Sequence, residues 1–327
     1  MKTFGLLRIA MGVLALTLPL SGNAANTGYP SQPVRVIFPG SAGSSGDARI
    51  RMLAEKLSVR LGQRFNIENR PGAGTTMGTM VVAAAKPDGY TLLATFTPAF
   101  PTGPMLYQGA QYDAIKSFAP IAMFSRGAPF LVVHPSVPAN TLKEFVALAK
   151  AKPGELTLAH GGLGGANHLP AQMFAFGAGA DFLFVPYKGE TQAMMDVIGG
   201  QVSGMFAYTA IAVPFIQSGK VKALAVAGAT RNPSLPQVPT VVESGYPGFE
   251  FFGTMMLLGP TGLPKEIIDK LNREIGSILQ EPDVRAFYEA SGADPVFGSP
   301  AETAALIRRE IDLTGALIRR LGVTPEQ

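Results

Sequence analysis

Short runs of β-branched and aromatic residues alternate along this chain with glycine-containing loops and with stretches of helical spacing. In the first third of the chain, the pattern predicts strands at residues 34–38, 65–68 and 90–95 and helices at residues 47–61 and 75–86. Asp47 is placed to cap the first helix, and Gly62 is placed to end it. Strand, loop, helix and strand in this order predict parallel βαβ units covered by helices, and therefore an α/β fold.

The same order of elements starts again in the middle of the chain. The pattern predicts strands at residues 130–133, 156–159, 182–187, 202–206, 221–227 and 251–258 and helices at residues 141–152 and 168–176. One more helix is predicted after Pro264 and another after Ser299, which forms a capping box with Glu302. Since no flexible linker separates the halves, we expect two lobes with a ligand cleft between them, joined by strands that cross near residues 127 and 250.

The first 25 residues are typical of an export signal. Lys2 and Arg8 give a basic start, residues 9–20 are mostly apolar, and small residues follow at Ala24 and Ala25. The apolar run is shorter than the roughly 20 residues that a membrane-spanning helix needs. We therefore expect cleavage near Ala24 or Ala25, followed by release of a soluble mature chain.

Composition and charge exclude several classes of site and partner. The chain has no cysteine, so disulfides and thiolate metal sites are excluded. Loss of Lys2 and Arg8 with the leader lowers the formal charge from +4 to +2, and no run of like charges favours nucleic acid as a partner. The three histidines have no spacing that suits a metal ion, so neither a metal nor a cofactor is expected.

Two glycine-rich loops lie where parallel α/β sheets bind ligands, at the carboxyl ends of predicted strands. These loops span residues 39–47 and residues 160–168. Glycine lets the backbone approach a ligand closely, and the free N–H groups at the start of the next helix favour an anion. One loop from each lobe would hold a carboxylate without a charged side chain.

Motifs of known enzyme classes are absent or incomplete in these loops. His160-Gly161-Gly162 is similar to an oxyanion loop, but the chain has no Gly-x-Ser-x-Gly elbow to supply a nucleophile. Residues 72–78 have a glycine pattern with the wrong spacing for a dinucleotide, and no acidic residue follows at the distance that a ribose needs.

A set of short motifs resembles the substrate-binding proteins of tripartite tricarboxylate transporters, also called Bordetella uptake proteins. The motifs are Leu61-Gly62-Gln63, Glu68-Asn69-Arg70-Pro71-Gly72-Ala73-Gly74, Pro87-Asp88-Gly89-Tyr90-Thr91-Leu92, Val185-Pro186-Tyr187-Lys188-Gly189, Gly200-Gln201-Val202, Leu235-Pro236-x-Val238-Pro239-Thr240 and the stretch around Glu243, Gly245 and Pro247-Gly248-Phe249. They follow the family's order over nearly all of the mature chain, and as a set they are highly specific.

This resemblance implies a periplasmic, two-lobed fold of the type II binding-protein class. Lobe 1 would comprise residues 26–126 and 251–327, and lobe 2 would comprise residues 127–250. The protein would be a monomer and would not be an enzyme. It would capture a small carboxylate and deliver it to a permease of one large and one small membrane protein. A ligand-sensing module for a membrane receptor is the alternative, and an exported hydrolase is a third hypothesis.

Candidate ligand-binding residues are carried over from the two loops and the strands next to them. They are Ser41, Ala42, Gly43, Ser44 and Asp47 in the first loop, Gly161, Gly162, Gly164, Gly165 and His168 in the second, and Phe38, Thr95, Phe96 and Tyr208 on strands. We expect Asp47 to cap its helix and to order the first loop, because its charge would repel a carboxylate.

Three departures from the family pattern bear on the ligand. Gly165 stands where a hydroxyl is common, Ala207 stands where the family has an aspartate, and Thr254 stands where a tryptophan is frequent. The loss of an acid and a hydroxyl from the cleft argues against a ligand with an ammonium group. We expect a carboxylate with an apolar or aromatic body, in contact with Phe38, Phe96, Phe100 and Tyr208.

Overall fold

The computed structural model describes residues 28–322 of the 327-residue chain. The predicted export signal and its cleavage point near Ala24 or Ala25 lie outside the described residues. Among residues 28–322, none of the helices has the length and hydrophobicity required to cross a membrane.

The described part of the chain alternates strands with helices. Its strands are β1 (Val34–Phe38), β2 (Phe65–Asn69), β3 (Thr91–Thr97), β4 (Phe118–Gly127), β5 (Pro129–Val133), β6 (Thr157–His160), β7 (Leu183–Pro186), β8 (Gly204–Tyr208), β9 (Lys222–Val226), β10 (Gly253–Pro260) and β11 (Ala293–Asp294). Its α-helices are α1 (Ser45–Leu61), α2 (Thr76–Ala83), α3 (Ala99–Leu106), α4 (Leu142–Ala151), α5 (His168–Ala178), α6 (Glu190–Ile198), α7 (Thr209–Gln217), α8 (Lys265–Ile278), α9 (Pro282–Ala290) and α10 (Pro300–Leu321).

The strands form two mixed sheets. The first sheet has the order β11-β4-β10-β3-β1-β2, in which β1 is parallel to β2 and β3 while β10 is antiparallel to β3 and β4. The second sheet has the order β7-β6-β8-β5-β9, in which β6 is parallel to its neighbours and β5 is antiparallel to β8 and β9. The predicted α/β class is therefore confirmed, and both sheets contain antiparallel pairs besides the predicted parallel ones.

Both faces of each sheet are covered at its centre, which explains why inner strands such as β5 and β10 are almost continuously apolar in sequence. Successive residues of a strand point to opposite faces. On β1, Val36 and Phe38 therefore lie in one core of the first sheet, and Ile37 lies in the core on the other face. On β5, Leu131 and Val132 divide in the same way between the two cores of the second sheet.

The chain crosses between the sheets twice. It leaves the first sheet at Gly127, the last residue of β4, and enters the second at Pro129, the first residue of β5. It returns between β9 and β10. The segments near residues 127 and 250 are therefore the connections between the sheets, while the exact division into lobes stays a prediction.

Three elements with an internal proline were missed by the sequence pattern. The strand β4 contains Pro120, and its pairing with β10 is irregular near that residue, which lets a proline occupy a central strand. The helices α3 and α7 contain Pro104 and Pro214, and proline in a helix interior removes a hydrogen bond. Burial of apolar neighbours on both helices outweighs this local cost. The pattern also gave no sign of the short elements α6, α9 and β11.

Candidate functional site

The first glycine loop is ordered around Asp47, in the first turn of α1. Its Oδ2 accepts the N–H of Gly43 at 3.0 Å and Nε of Arg51 at 2.9 Å, while its Oδ1 accepts Nδ2 of Asn69 at 2.8 Å. Burial opposes ionisation, but these donors outweigh it and lower the pKa of Asp47. The hydroxyl of Ser44 caps the helix by accepting the N–H of Asp47. The predicted N-cap at Asp47 is therefore wrong, since the helix begins two residues earlier.

The second glycine loop is held by His168, the first residue of α5. Nδ1 of His168 accepts the N–H of Gly164 at 3.1 Å, and the N–H of Gly165 donates to the carbonyl of Gly162 at 3.1 Å. The rings of His160 and His168 are buried with centroids 4.4 Å apart. Burial lowers the pKa of His160 to about 4, and burial together with the neighbouring His160 lowers the pKa of His168 to about 3. Both imidazoles are therefore neutral near neutral pH.

A cavity of about 70 Å³ lies between the two loops. Its walls on the side of the first sheet are the first glycine loop, the start of α1, the loop before α2, Phe96 and Met255. Its walls on the side of the second sheet are the second glycine loop, the turn between β7 and α6, and Tyr208. A space of this size suits a small molecule.

Three buried polar side chains on this cavity have atoms that lack a hydrogen-bond partner within residues 28–322. The atoms are Nε and Nη2 of Arg49, Oγ1 of Thr75 and the phenol oxygen of Tyr208. Buried polar groups nearly always have partners, and an unsatisfied group costs about 1–3 kcal/mol. Three such groups around one cavity indicate a binding site for a polar molecule.

Arg49 places a buried positive charge on this cavity. Arg49 is only 2% exposed, and its Cζ lies 5.9 Å from the ring centroid of Tyr208. Burial lowers the pKa of Arg49, while the nearby Tyr208, Tyr288 and Glu190 oppose that change. In the described part of the chain, no carboxylate lies within ion-pair distance of its guanidinium.

Glu190 joins the two sides of the cavity. Its Oε2 accepts the N–H of Ser45 on α1 at 3.3 Å, and its Oε1 accepts the N–H of Tyr208 on β8 at 3.0 Å. The hydroxyl of Ser45 also donates to the carbonyl of Tyr208 and accepts the N–H of Ile211. Burial raises the pKa of Glu190, against the effect of these N–H donors and of Arg49.

The expectation of a cleft without a charged side chain is therefore wrong. Arg49 and Glu190 both line the cavity. Glu190 also corrects the inference that was drawn from Ala207. The family's aspartate is missing near the end of β8, but Glu190 at the start of α6 supplies an acidic side chain to the cavity. The absence of an acidic group can no longer be used to exclude ligands with an ammonium group.

Sequence reasoning missed these two residues for different reasons. Arg49 lies one turn before Leu53 on the buried face of α1. A charged residue at an otherwise apolar position of the helix was the sequence feature that could have identified it as a site residue. Glu190 is the first residue of α6, where an acid is ordinarily explained by the helix dipole. Its position between the two sheets depends on how they pack, which no local pattern shows.

The loop before α2 forms a third wall of the cavity. Ala73 and Thr75 have φ values of 45° and 90°, a region that residues other than glycine rarely adopt. A Cβ on Gly74 would collide with the carbonyl of Leu163, so this loop lies against the second glycine loop. Backbone strain of about 1–3 kcal/mol per residue is concentrated at functional sites. Thr75 is therefore added to the candidate site residues. The sequence had pointed to its segment, residues 72–78, only as an incomplete dinucleotide-binding motif.

The structure brings half of the predicted site residues to this cavity. Those that line it are Phe38, Ser41, Ser44, Phe96, Gly161, Gly165 and Tyr208. Gly162 and His168 line a neighbouring, wider cleft instead. Ala42, Gly43, Asp47, Thr95 and Gly164 lie behind or beside these walls, where Asp47 and His168 order the two loops. Phe100 packs against Tyr112 and Phe118 in the core. Direct ligand contact by any of these residues stays a prediction.

Known proteins match this chain along nearly its whole length. A family model described as the tripartite tricarboxylate transporter family receptor matches residues 49–323. Protein BugT of Bordetella pertussis is 33% identical over 313 residues, which cover 95% of this chain and 96% of BugT.

Solved structures show the same fold. The periplasmic binding protein BugD superposes with a TM-score of 0.87 at 35% identity, over 91% of this chain and 100% of BugD. An R. palustris protein solved with adipate superposes with a TM-score of 0.87 at 29% identity, over 91% of this chain and 100% of that protein. The architecture is therefore that of the two-lobed periplasmic binding proteins, and this chain belongs to the family of tripartite tricarboxylate transporter receptors.

Proposed function

We propose that this protein is a periplasmic solute-binding protein that closes on a small carboxylate and delivers it to a tripartite tricarboxylate-type permease. The observation that carries the proposal is the cavity between the sheets, which is lined by Arg49, Thr75 and Tyr208, whose buried polar atoms lack partners in the described part of the chain. The family's description as receptors and the adipate bound by one relative favour a carboxylate as ligand. The protein would act as a monomer, without a cofactor, and would release its ligand unchanged.

The first turn of α1 is the part of the cavity best suited to an anion. The first N–H groups of a helix have no acceptor within the helix; those of Ser45 and Asp47 donate to Glu190 and Ser44, so the N–H of Gly46, which lines the cavity, is the one of these three that a ligand would use. A carboxylate there would also interact favourably with the positive end of the helix dipole. Phe38, Phe96 and Met255 line the same cavity and would contact an apolar stem.

Hydrogen bonds between the two sides describe a closed arrangement. Besides the bond of Glu190 to Ser45, the hydroxyls of Ser41 and Thr191 lie 3.2 Å apart, and Thr102 donates to the carbonyl of Gly164 at 3.1 Å. We infer that the lobes separate about the connections near residues 127 and 250 to admit the ligand. Closure then excludes water, which strengthens each hydrogen bond to the ligand.

Gly189 offers a test of binding by closure. Its φ is 176°, an extended value that any residue adopts, and a Cβ there would lie 2.8 Å from the side chain of Ser41 across the cavity. Gly189→Leu should therefore block closure while leaving each lobe folded. Gly177→Leu is the matched control, because no atom lies within 4 Å of the added Cβ on the exposed face of α5.

Calorimetric titration with small mono-, di- and aromatic carboxylates measures the effect. At least one acid should bind the wild-type protein and Gly177→Leu near 1 μM, which corresponds to about 8 kcal/mol. Gly189→Leu should weaken that binding by at least about tenfold, or about 1.4 kcal/mol. Binding of none of the acids to the wild-type protein would refute the proposal, and equal binding to Gly189→Leu would refute closure.

Delivery to a permease is tested in the cell that makes the protein. A deletion strain should lose uptake of the acid identified by calorimetry, and the intact gene should restore it. Retained uptake with loss of an acid-induced transcriptional response would favour the alternative role as a sensor module.

A further inference from the structure

The guanidinium of Arg49 lies next to the connections between the two sheets. A Cβ on Gly127, the last residue of β4, would be 3.3 Å from Nη2 of Arg49. Gly127 is paired with Gly253 in the first sheet, and a Cβ on Gly253 would collide with the hydroxyl of Tyr208. Arg49 and Tyr208 therefore present their polar atoms at the same end of the cavity.

The unpartnered atoms of Arg49 are two donors on one edge of its guanidinium. The N–H bonds of Nε and Nη2 on this edge are parallel and match the two oxygens of a carboxylate. Arg35 uses the same edge elsewhere in this protein, where Nε and Nη2 contact Oε2 of Glu68 at 3.0 Å and 2.7 Å. Arg49 lines the cavity, and its Nε and Nη2 are buried and have no acceptor among residues 28–322.

Glu190 reduces the cost of burying this charge without occupying the free edge. Its electrostatic effect reaches Arg49, but its oxygens accept the N–H groups of Ser45 and Tyr208. An isolated buried charge is costly, and an opposite charge nearby lowers that cost. The two donors of Arg49 are consequently left for a molecule that enters the cavity.

We propose that the Nε and Nη2 edge of Arg49, together with the hydroxyl of Tyr208, binds a second carboxylate of the ligand. This inference rests on the proposed function, because it adds a second contact to a carboxylate held by the glycine loops. It makes Arg49 a specificity-determining residue for diacids over monoacids of equal length. A monoacid would place a methyl group against Arg49 and leave its donors unpaired, and polar sites reject such analogues strongly.

The test uses pairs of acids that differ only at one end. Calorimetric titrations of the purified protein would compare succinate with butanoate, glutarate with pentanoate, and adipate with hexanoate. The diacid that binds tightest should exceed its monoacid partner by at least about 30-fold, since the monoacid leaves buried donors unpaired. Arg49→Met should weaken the diacid and strengthen the monoacid, because it removes the donors that only the diacid satisfies, so the preference for the diacid should disappear.

Two further variants separate recognition from a structural role. Arg49→Lys keeps the charge but loses the parallel donors, so its diacid preference should fall between those of the wild type and Arg49→Met. Arg35→Met removes an exposed arginine whose edge is already occupied by Glu68, and it should bind both acids like the wild type.

The possible results divide clearly. If the wild type bound a monoacid as tightly as the matching diacid, the role of Arg49 would be overturned and the proposed function would stand. The role of Arg49 would be overturned in the same way if Arg49→Met folded normally but weakened both acids equally. Binding of neither acid by the wild type, with failure of the wider carboxylate panel, would overturn both proposals. A diacid preference that disappears only in the Arg49 variants would support the inference.

Discussion

Acid should destabilise this protein through the buried pair His160 and His168. Burial lowers their pKa values from 6.5 to about 4 and about 3. Below pH 6.5 the unfolded chain therefore binds more protons than the folded one, so stability is lost as the pH falls. Each pH unit below 6.5 costs about 1.4 kcal/mol per histidine, so acidification from about pH 7.5 to about pH 5 should cost about 2 kcal/mol for each.

The geometry of His168 explains why its protonation is costly. Its Nδ1 accepts the N–H of Gly164, and a protonated Nδ1 would face that donor with another donor. The ring also lies at the start of α5, where the helix dipole disfavours a positive charge. His168→Asn should keep an acceptor for Gly164 and lose the titration.

Urea denaturation at both pH values measures the effect. Between about pH 7.5 and about pH 5, the two histidines should remove about 4 kcal/mol of unfolding free energy from the wild type, and His160 alone should remove about 2 kcal/mol from His168→Asn, so the two proteins should differ by about 2 kcal/mol. His134→Gln, a substitution outside the buried pair, is the control and should follow the wild type. Burial raises the pKa of Glu190, which gives an opposite trend that is common to all three proteins. An equal loss in His168→Asn and the wild type would refute the reasoning.

Three further substitutions should change stability in equilibrium unfolding. Asp47→Ala should cost about 2–4 kcal/mol, because it leaves the N–H of Gly43 and the side chains of Arg51 and Asn69 without their buried acceptor. Phe174→Ala should cost about 3–5 kcal/mol, because its buried ring contacts four other aromatic rings in the core of the second sheet. Thr75→Gly should stabilise the fold by about 1 kcal/mol, since glycine adopts a φ of 90° without strain, and a loss of stability there would contradict that reason.

The elements that sequence patterns predicted are those that local physics determines. The capping boxes at Thr141 and Ser299 begin α4 and α10 as predicted, because both partners lie within four residues of each other. The strand β4 and the helix α7 could not be predicted in the same way. Their prolines oppose the local structure, and only packing against elements distant in sequence compensates.

The candidate site likewise has parts that local sequence determines and parts that depend on packing between distant elements. Both glycine loops could be located, because the carboxyl ends of strands and the starts of helices are readable in sequence. The charges that face the cavity could not be assigned, because Arg49 and Glu190 are 141 positions apart in the chain and meet only when the sheets pack together. Glu190 at the start of a helix is explained locally by the helix dipole, and Arg49 is one charged residue among several on α1, so neither indicated a site by itself.

The unpartnered donors of Arg49 also bear on how closure is controlled. In the closed arrangement they are buried without an acceptor among residues 28–322, which costs free energy that an open form, with the guanidinium in water, does not incur. The bond of Glu190 to Ser45 acts in the opposite direction, because it forms only when the two sides meet; Tyr208, the other partner of Glu190, lies on the same side as Glu190. A ligand that supplies an acceptor to Arg49 removes the cost and keeps the gain, so it shifts the equilibrium towards closure. An empty protein would remain mostly open on this reasoning, and the same arginine that selects the ligand would couple its arrival to closure.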